Sequence, residues 1–150
     1  MYSVTVQDQR MHFSASHFLK SEDEVENLHG HNYILRVKLT GPLNEDGMVY
    51  DFREVKSKAV EICKTLDHKV LLPANSKTIK VSKSDEFIEV FVGEKRYVFP
   101  EEDCVIIPTI ATSTELLAQH ILNLLDFPKE FVVKVCVSES EGKTGCCKRK

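Results

Sequence analysis

Apolar and polar residues alternate along several stretches of the chain, and the alternation predicts strands. Residues 2–17, YSVTVQDQRMHFSASH, form a long strand on this reading, bent at Asp8 to Arg10. From His29 to Thr40 the pattern is stronger: His29, His31, Tyr33, Leu35, Val37 and Leu39 share one face, and Asn32, Arg36 and Lys38 the other. Val133, Val135 and Val137 alternate again in FVVKVCVSES, which predicts the last strand. Residues 18–28 (FLKSEDEVENL) are polar and acidic and read as a loop, and GPLNEDG reads as a turn before MVYDF opens the next element.

Helical spacing replaces alternation in two places. Asp51-Phe-Arg-Glu54 resembles a capping box, and Val55, Ala59, Ile62, Cys63 and Leu66 form an apolar stripe behind it, ending near Leu66-Asp67-His68. Thr112-x-x-Glu115 opens a second helix in the same manner, with Leu117, Ala118, Ile121 and Leu125 inward and Pro128 beyond its end. Between the helices, EFIEVFV and KRYVFP flank a Gly-Glu pair, a hairpin signal inside an insert at 72–108. The order strand, strand, helix, hairpin, helix, strand places the chain in the α+β class, as a single domain over 1–150. A sheet with two helices on one face leaves its edges and far side bare, and self-association covers them economically.

Composition narrows the function classes. Among 150 residues, 42% are hydrophobic and 29% charged, with a net charge of −3, which offers no basic surface for nucleic acid. No segment approaches the ~18 apolar residues of a membrane span, and no leader-like start is seen, so neither a membrane nor a nucleic-acid partner is expected and the cytoplasm is the expected compartment. Cysteines 63, 104, 136, 146 and 147 are odd in number and irregularly spaced, unlike a secreted disulfide framework. Cys63, Cys104 and Cys136 read as small buried hydrophobes.

The chemistry-bearing stretch is ENLHGHNY, residues 26–33. Catalytic zinc sites keep three protein ligands and one open position, and an i, i+2 histidine pair on a strand presents both rings to one side. His29 and His31 meet that condition. On the first strand His17 shares its parity with the apolar Phe13 and Ala15, which points it inward beside the pair, whereas His12 points out. An HxH pair also occurs as ordinary core or surface histidine, and HEXXH and HxHxDH patterns are both missing. Asp67-His68 pairs a carboxylate with an imidazole, which suits a general acid or base as well as a helix C-terminus. Glu139, at the end of the last strand, has the geometry to receive a guanidine-like edge through two parallel hydrogen bonds.

Taken in order, FSASH (13–17), LHGHNY (28–33), GMVYDF (47–52), LDH (66–68), TSTELLAQHI (112–121) and VSES (137–140) resemble the 6-pyruvoyl-tetrahydropterin synthase family, which includes 6-carboxy-tetrahydropterin synthases. The resemblance implies a tunnelling fold (T-fold): a four-stranded antiparallel sheet with two helices on one face, assembled as a homo-oligomer, a trimer or dimer of trimers, with active sites between subunits. It implies Zn²⁺ on His17, His29 and His31, a proton relay at Asp67 and His68, and a pterin substrate held by Glu139 with Thr114 and Glu115. Family members that make the pyruvoyl or carboxy product carry a cysteine four residues before the first HGH histidine, where this chain has Val25. Glu26 instead matches an E-x-x-H-G-H variant, which resembles enzymes that cleave the side chain of 7,8-dihydroneopterin, or of its triphosphate, to 6-hydroxymethyl-7,8-dihydropterin. A 6-pyruvoyl- or 6-carboxy-tetrahydropterin synthase, a non-catalytic zinc- or pterin-binding homologue, and an α+β protein with incidental histidines are the alternatives.

Overall fold

The computed structural model describes residues 1–150. In chain order it contains β1 (Tyr2–Val6), β2 (His12–His17), β3 (Lys20–Ser21), β4 (Glu24–Val25), β5 (His29–Gly41), α1 (Phe52–Leu66), β6 (Lys69–Pro73), β7 (Ile79–Ser84), β8 (Phe87–Val92), β9 (Lys95–Pro100), β10 (Cys104–Ile107), α2 (Thr114–Leu124), β11 (Val132–Ser140) and β12 (Lys143–Arg149). The bend expected at Asp8 to Arg10 divides the opening strand. There the Asp8 carbonyl accepts from the Met11 amide at 2.9 Å, and its carboxylate accepts from the Arg10 amide at 3.0 Å.

Both halves of that opening strand pair antiparallel with β5, whose other edge takes β11 and then β12. This is the expected antiparallel core. Two further strands, β6 and β10, extend it by parallel pairing beyond β2. Nothing in the apolar run KVLLP distinguishes a buried parallel strand from the tail of a helix, so the extension was not legible. The residues read as a loop at 18–28 include a short antiparallel ladder, β3 with β4.

Alternation has its expected outcome along β5: Tyr33, Leu35, Val37 and Leu39 are fully buried. Val133, Val135 and Val137 of β11 are buried with them, under α1 and α2. Asp51 caps α1 as its sequence predicts, accepting from the Arg53 amide at 2.8 Å. The second cap is shifted: Ser113, not Thr112, precedes α2 and accepts from the Leu116 amide. Thr112 is drawn into the interior, where it is wholly buried.

The insert is more than a hairpin. The predicted pair, β8 and β9, turns at Gly93-Glu94, and β7 adds a third strand. Ile88, Val90 and Val92 face inward and form a second core with Phe18, Leu72 and Ile79. One cysteine departs from the sequence reading. Cys136, expected as a small buried hydrophobe, forms a disulfide with Cys146, opposite it on β12. Their distance of ten residues in sequence gave no hint of a cross-strand bridge.

Gly145 sets how closely β12 meets the start of α2. A Cβ there would stand 2.4 Å from Thr114 Oγ1 and 2.6 Å from the Glu115 amide nitrogen. No helix is long and apolar enough to cross a membrane.

Candidate metal centre

Register builds the site. His17 lies directly opposite His29, and Ala15 opposite His31, so three imidazoles emerge on the helix-bearing side of two adjacent strands. Ring centroids stand 4.7 Å (His17–His29), 4.9 Å (His29–His31) and 5.2 Å (His17–His31) apart. One nitrogen from each ring falls within 4.8 Å of the others.

The outer nitrogens fix the tautomers. His17 Nδ1 lies 3.0 Å from the Thr112 carbonyl oxygen, and His29 Nδ1 lies 2.7 Å from the Asn27 carbonyl oxygen. A carbonyl only accepts, so both Nδ1 atoms carry hydrogen and both neutral rings direct Nε2 lone pairs inward. Those two Nε2 atoms are 3.1 Å apart. Facing lone pairs at that separation repel unless a cation or a shared proton lies between them. Burial, the largest influence on His17, lowers its pKa and works against the proton. The third ring adds an orphan: His31 Nε2 is buried without a hydrogen-bond partner. Tetrahedral nitrogen ligands at the usual ~2.0–2.1 Å from zinc stand roughly 3.3 Å apart, close to the 3.1 Å of the His17–His29 pair, so the three imidazoles form a donor set that could hold a metal ion such as Zn²⁺.

Two carboxylates reach the histidines from different elements. Glu26 Oε2 is 3.6 Å from His29 Nε2, and Glu139 Oε2 is 3.6 Å from His31 Nε2. Thr114 and Glu115 lie at the first turn of α2, with Thr114 Oγ1 3.2 Å from Glu115 Oε2. That turn begins two residues after Thr112 and rests on Gly145.

Asp67 and His68 are not brought to this cluster. They stand just before β6, where Asp67 accepts from the Ser14 amide at 2.8 Å and the His68 amide donates to the Ser14 carbonyl at 2.7 Å. The Ser14 amide is also the main reason that the Asp67 pKa is lowered. His68 Nδ1 is 2.9 Å from Asp67 Oδ2, and the imidazole is exposed. It borders a cleft lined by Ser14, Ser16, Gly30 and Asn32, whose side chains alternate with those of the three histidines, and Ala15 and His31 also line that cleft. Within one chain, Asp67 is thus tied to the Ser14 backbone and His68 opens onto the cleft, and neither joins the cluster of three histidines.

A profile of the 6-pyruvoyl tetrahydropterin synthase family matches residues 7–149. The chain belongs to that family. A Methanocaldococcus jannaschii protein provisionally named a 6-carboxy-5,6,7,8-tetrahydropterin synthase is 32% identical, over 93% of this chain and 90% of the relative. Among solved structures, Plasmodium vivax 6-pyruvoyl tetrahydropterin synthase superposes with a TM-score of 0.93 at 32% identity, covering 99% of this chain and 98% of the other. A variant of the P. vivax protein, described as a catalytic-residue mutant, carries alanine in place of a glutamate; it superposes at TM-score 0.89 and 29% identity, covering 99% and 98%. A Pyrococcus furiosus protein named dihydroneopterin monophosphate aldolase is 34% identical over 57% of this chain and 69% of the relative.

In this member of the 6-pyruvoyl tetrahydropterin synthase family, two residues of the site escaped the sequence reading. Thr112 was assigned to a helix cap, yet its carbonyl and its hydroxyl, at 3.0 and 3.2 Å, both lie on His17 Nδ1. Tyr33 was read only as core, but its hydroxyl approaches the His17 ring nitrogens at 3.3 and 3.4 Å. Burial raises the pKa of that phenol and keeps it protonated. Groups that orient metal-binding imidazoles cost ~10–100-fold in metal affinity when removed. Thr112→Val keeps the carbonyl contact and the volume, so we expect a loss of about tenfold in zinc affinity in a chelator competition, with the fold intact.

Proposed function

We propose that the chain is a zinc-dependent pterin lyase that cleaves the side chain of 7,8-dihydroneopterin, or of its triphosphate, to 6-hydroxymethyl-7,8-dihydropterin. The observation that carries this reading is Glu26, whose carboxylate lies 3.6 Å from His29 Nε2, while Val25 stands where the synthase pattern has cysteine. No cysteine lies in residues 18–28 to take over the work of one. The catalytic glutamate of the P. vivax relative and the aldolase name of the P. furiosus relative support the same direction.

His17, His29 and His31 hold the zinc, which when bound polarises side-chain oxygens as a Lewis acid. Glu26 accepts the proton of the hydroxyl on the second side-chain carbon. The bond between the first and second carbons then breaks, and its electron pair passes into the neighbouring C=N of the dihydropterin ring. The outer fragment leaves as a two-carbon aldehyde, phosphorylated if the substrate was. A returning proton on the first carbon completes the hydroxymethyl group, with no net redox change. Glu139, with Thr114 and Glu115, takes the amino-pyrimidine edge. For that, the Glu139 carboxylate must turn outward from His31, and the irregular register at Ser138 to Ser140 lies beside it.

Asp67 and His68 supply the returning proton from a second copy, because within their own chain they stand outside the cluster of His17, His29 and His31. The open outer edges of β1 and β12 are where copies would pair, in a trimer or a dimer of trimers. Mixing two variants tests this. His29→Ala and His68→Ala subunits, each inactive alone, should regain roughly a quarter of the wild-type specific activity when co-assembled at random in equal amounts. No recovery would place both halves in one chain.

Product analysis tests the reaction itself. Purified protein is incubated with dihydroneopterin and with its triphosphate, with and without chelator, and the pterins are separated. We expect 6-hydroxymethyl-7,8-dihydropterin together with the two-carbon aldehyde, in the absence of chelator only. A 6-carboxy product, as the name of the M. jannaschii relative suggests, or a 6-pyruvoyl product would replace the lyase by a synthase. Binding without turnover would replace it by a pterin-binding homologue.

A further inference from the structure

The insert between the helices has no part in the site as described so far, yet it touches the segment that carries Glu26. We propose that the three-stranded insert is a clamp for the metal centre, with Lys95 and Tyr97 as positioning residues for Glu26 and His29.

Three contacts converge on that segment. Lys95, at the start of β9, donates from Nζ to Asn27 Oδ1 at 2.8 Å. The Asn27 carbonyl oxygen in turn takes the Nδ1–H of His29 at 2.7 Å. One residue therefore links the insert by its side chain to a metal-binding imidazole by its backbone. Tyr97, two residues further along β9, sets its ring 4.9 Å from that of Phe18, the buried residue that follows His17. Val25 and Leu28, which flank Glu26 and Asn27, pack on the insert's own core of Ile79, Ile88, Val90 and Val92.

The segment needs such support. It is rich in acidic residues, SEDEVEN, and its internal pairing is limited to β3 with β4. Glu22 at the turn of that ladder adopts a positive φ of 53°. A ladder of two residues a side is not stable by itself. The Glu26 amide donates to the Leu19 carbonyl at 2.8 Å, which ties the carboxylate's backbone to the residue after Phe18. Clamping Phe18, Val25, Asn27 and Leu28 from one side therefore holds the Glu26 backbone where its half-exposed carboxylate reaches His29. Catalytic groups held loosely lose rate even when every one is present.

The role assigned to Glu26 rests on the lyase reading, and the test separates the two. In the zinc-loaded protein, Lys95→Met and Tyr97→Leu are made singly and together, in wild-type and Glu26→Gln backgrounds. Amide hydrogen exchange of residues 20–28 reads the clamp without reference to any reaction. We expect exchange there to quicken about tenfold in the double variant, with β5 and β11 amides unchanged. Turnover should fall about tenfold in kcat with KM altered less than about twofold, and by nothing further in the Glu26→Gln background. Unchanged exchange at 20–28 would overturn the clamp. Equal losses of kcat in both backgrounds would overturn its action through Glu26. Should Glu26→Gln itself retain full turnover while exchange still quickens, the lyase reading falls and the clamp stands. If Tyr97→Leu fails to fold, the exposed Lys95→Met variant alone decides between these outcomes.

Discussion

Glu26→Gln is expected to abolish nearly all turnover while leaving zinc in place. The substitution keeps the size and the hydrogen-bonding edge of the side chain and removes only its capacity to take a proton. General-base assistance contributes ~10²–10⁴-fold, so kcat should fall by about that factor with KM little changed. Zinc content by metal analysis distinguishes a base from a ligand, because Glu26 lies 3.6 Å from His29 Nε2 and approaches the metal site. Zinc lost along with turnover would make Glu26 a fourth ligand. Turnover retained would remove it from the chemistry.

His29→Ala has an effect of comparable size on a different quantity. It deletes a ligand rather than a supporting group, so the loss of zinc affinity should exceed the ~10–100-fold typical of supporting hydrogen bonds. On the proposed zinc reading the metal would bind the folded chain alone, and at a thousandfold excess over its dissociation constant it would add about 4 kcal/mol of stability. Chelator should therefore lower the melting temperature of the wild-type protein and leave that of His29→Ala unchanged. The sign follows from linkage: a variant that never gained from the metal has nothing to lose to a chelator. A chelator effect of equal size in both proteins would contradict the three-histidine site. Acid should release the metal by the same route, since imidazole must be neutral to bind. The buried His17, whose pKa is lowered, resists that protonation.

Much of this centre could be read from residue parity. The rule that alternate residues share a face placed His29 with His31, and the apolar parity of Phe13 and Ala15 placed His17 beside them. Such local rules fail where a contact depends on distant segments. Thr112 reads locally as a cap, but tertiary packing turns it onto His17, 95 residues away in sequence. Asp67 and His68 read correctly as a pair, yet no local pattern says on which face of the sheet they emerge. The partner strand that fixes this, β2, lies more than fifty residues upstream. Cys136 and Cys146 illustrate the same limit, since register between two strands decides which cysteines meet. β7 was missed because its alternation, Ile79 and Val81 against Lys80 and Ser82, is only four residues long before IKVSKS turns wholly polar.

Gly145 has a consequence for how substitutions in this protein are interpreted. It has no side chain to offer a substrate or a metal, and yet a methyl group there would collide with Thr114 and Glu115 at the first turn of α2, two residues from the threonine whose carbonyl meets His17. A mutational tolerance map would therefore score it alongside the histidines. Space alone would give position 145 the profile of an active-site residue, and only the metal content and stability of its variants would separate the two causes.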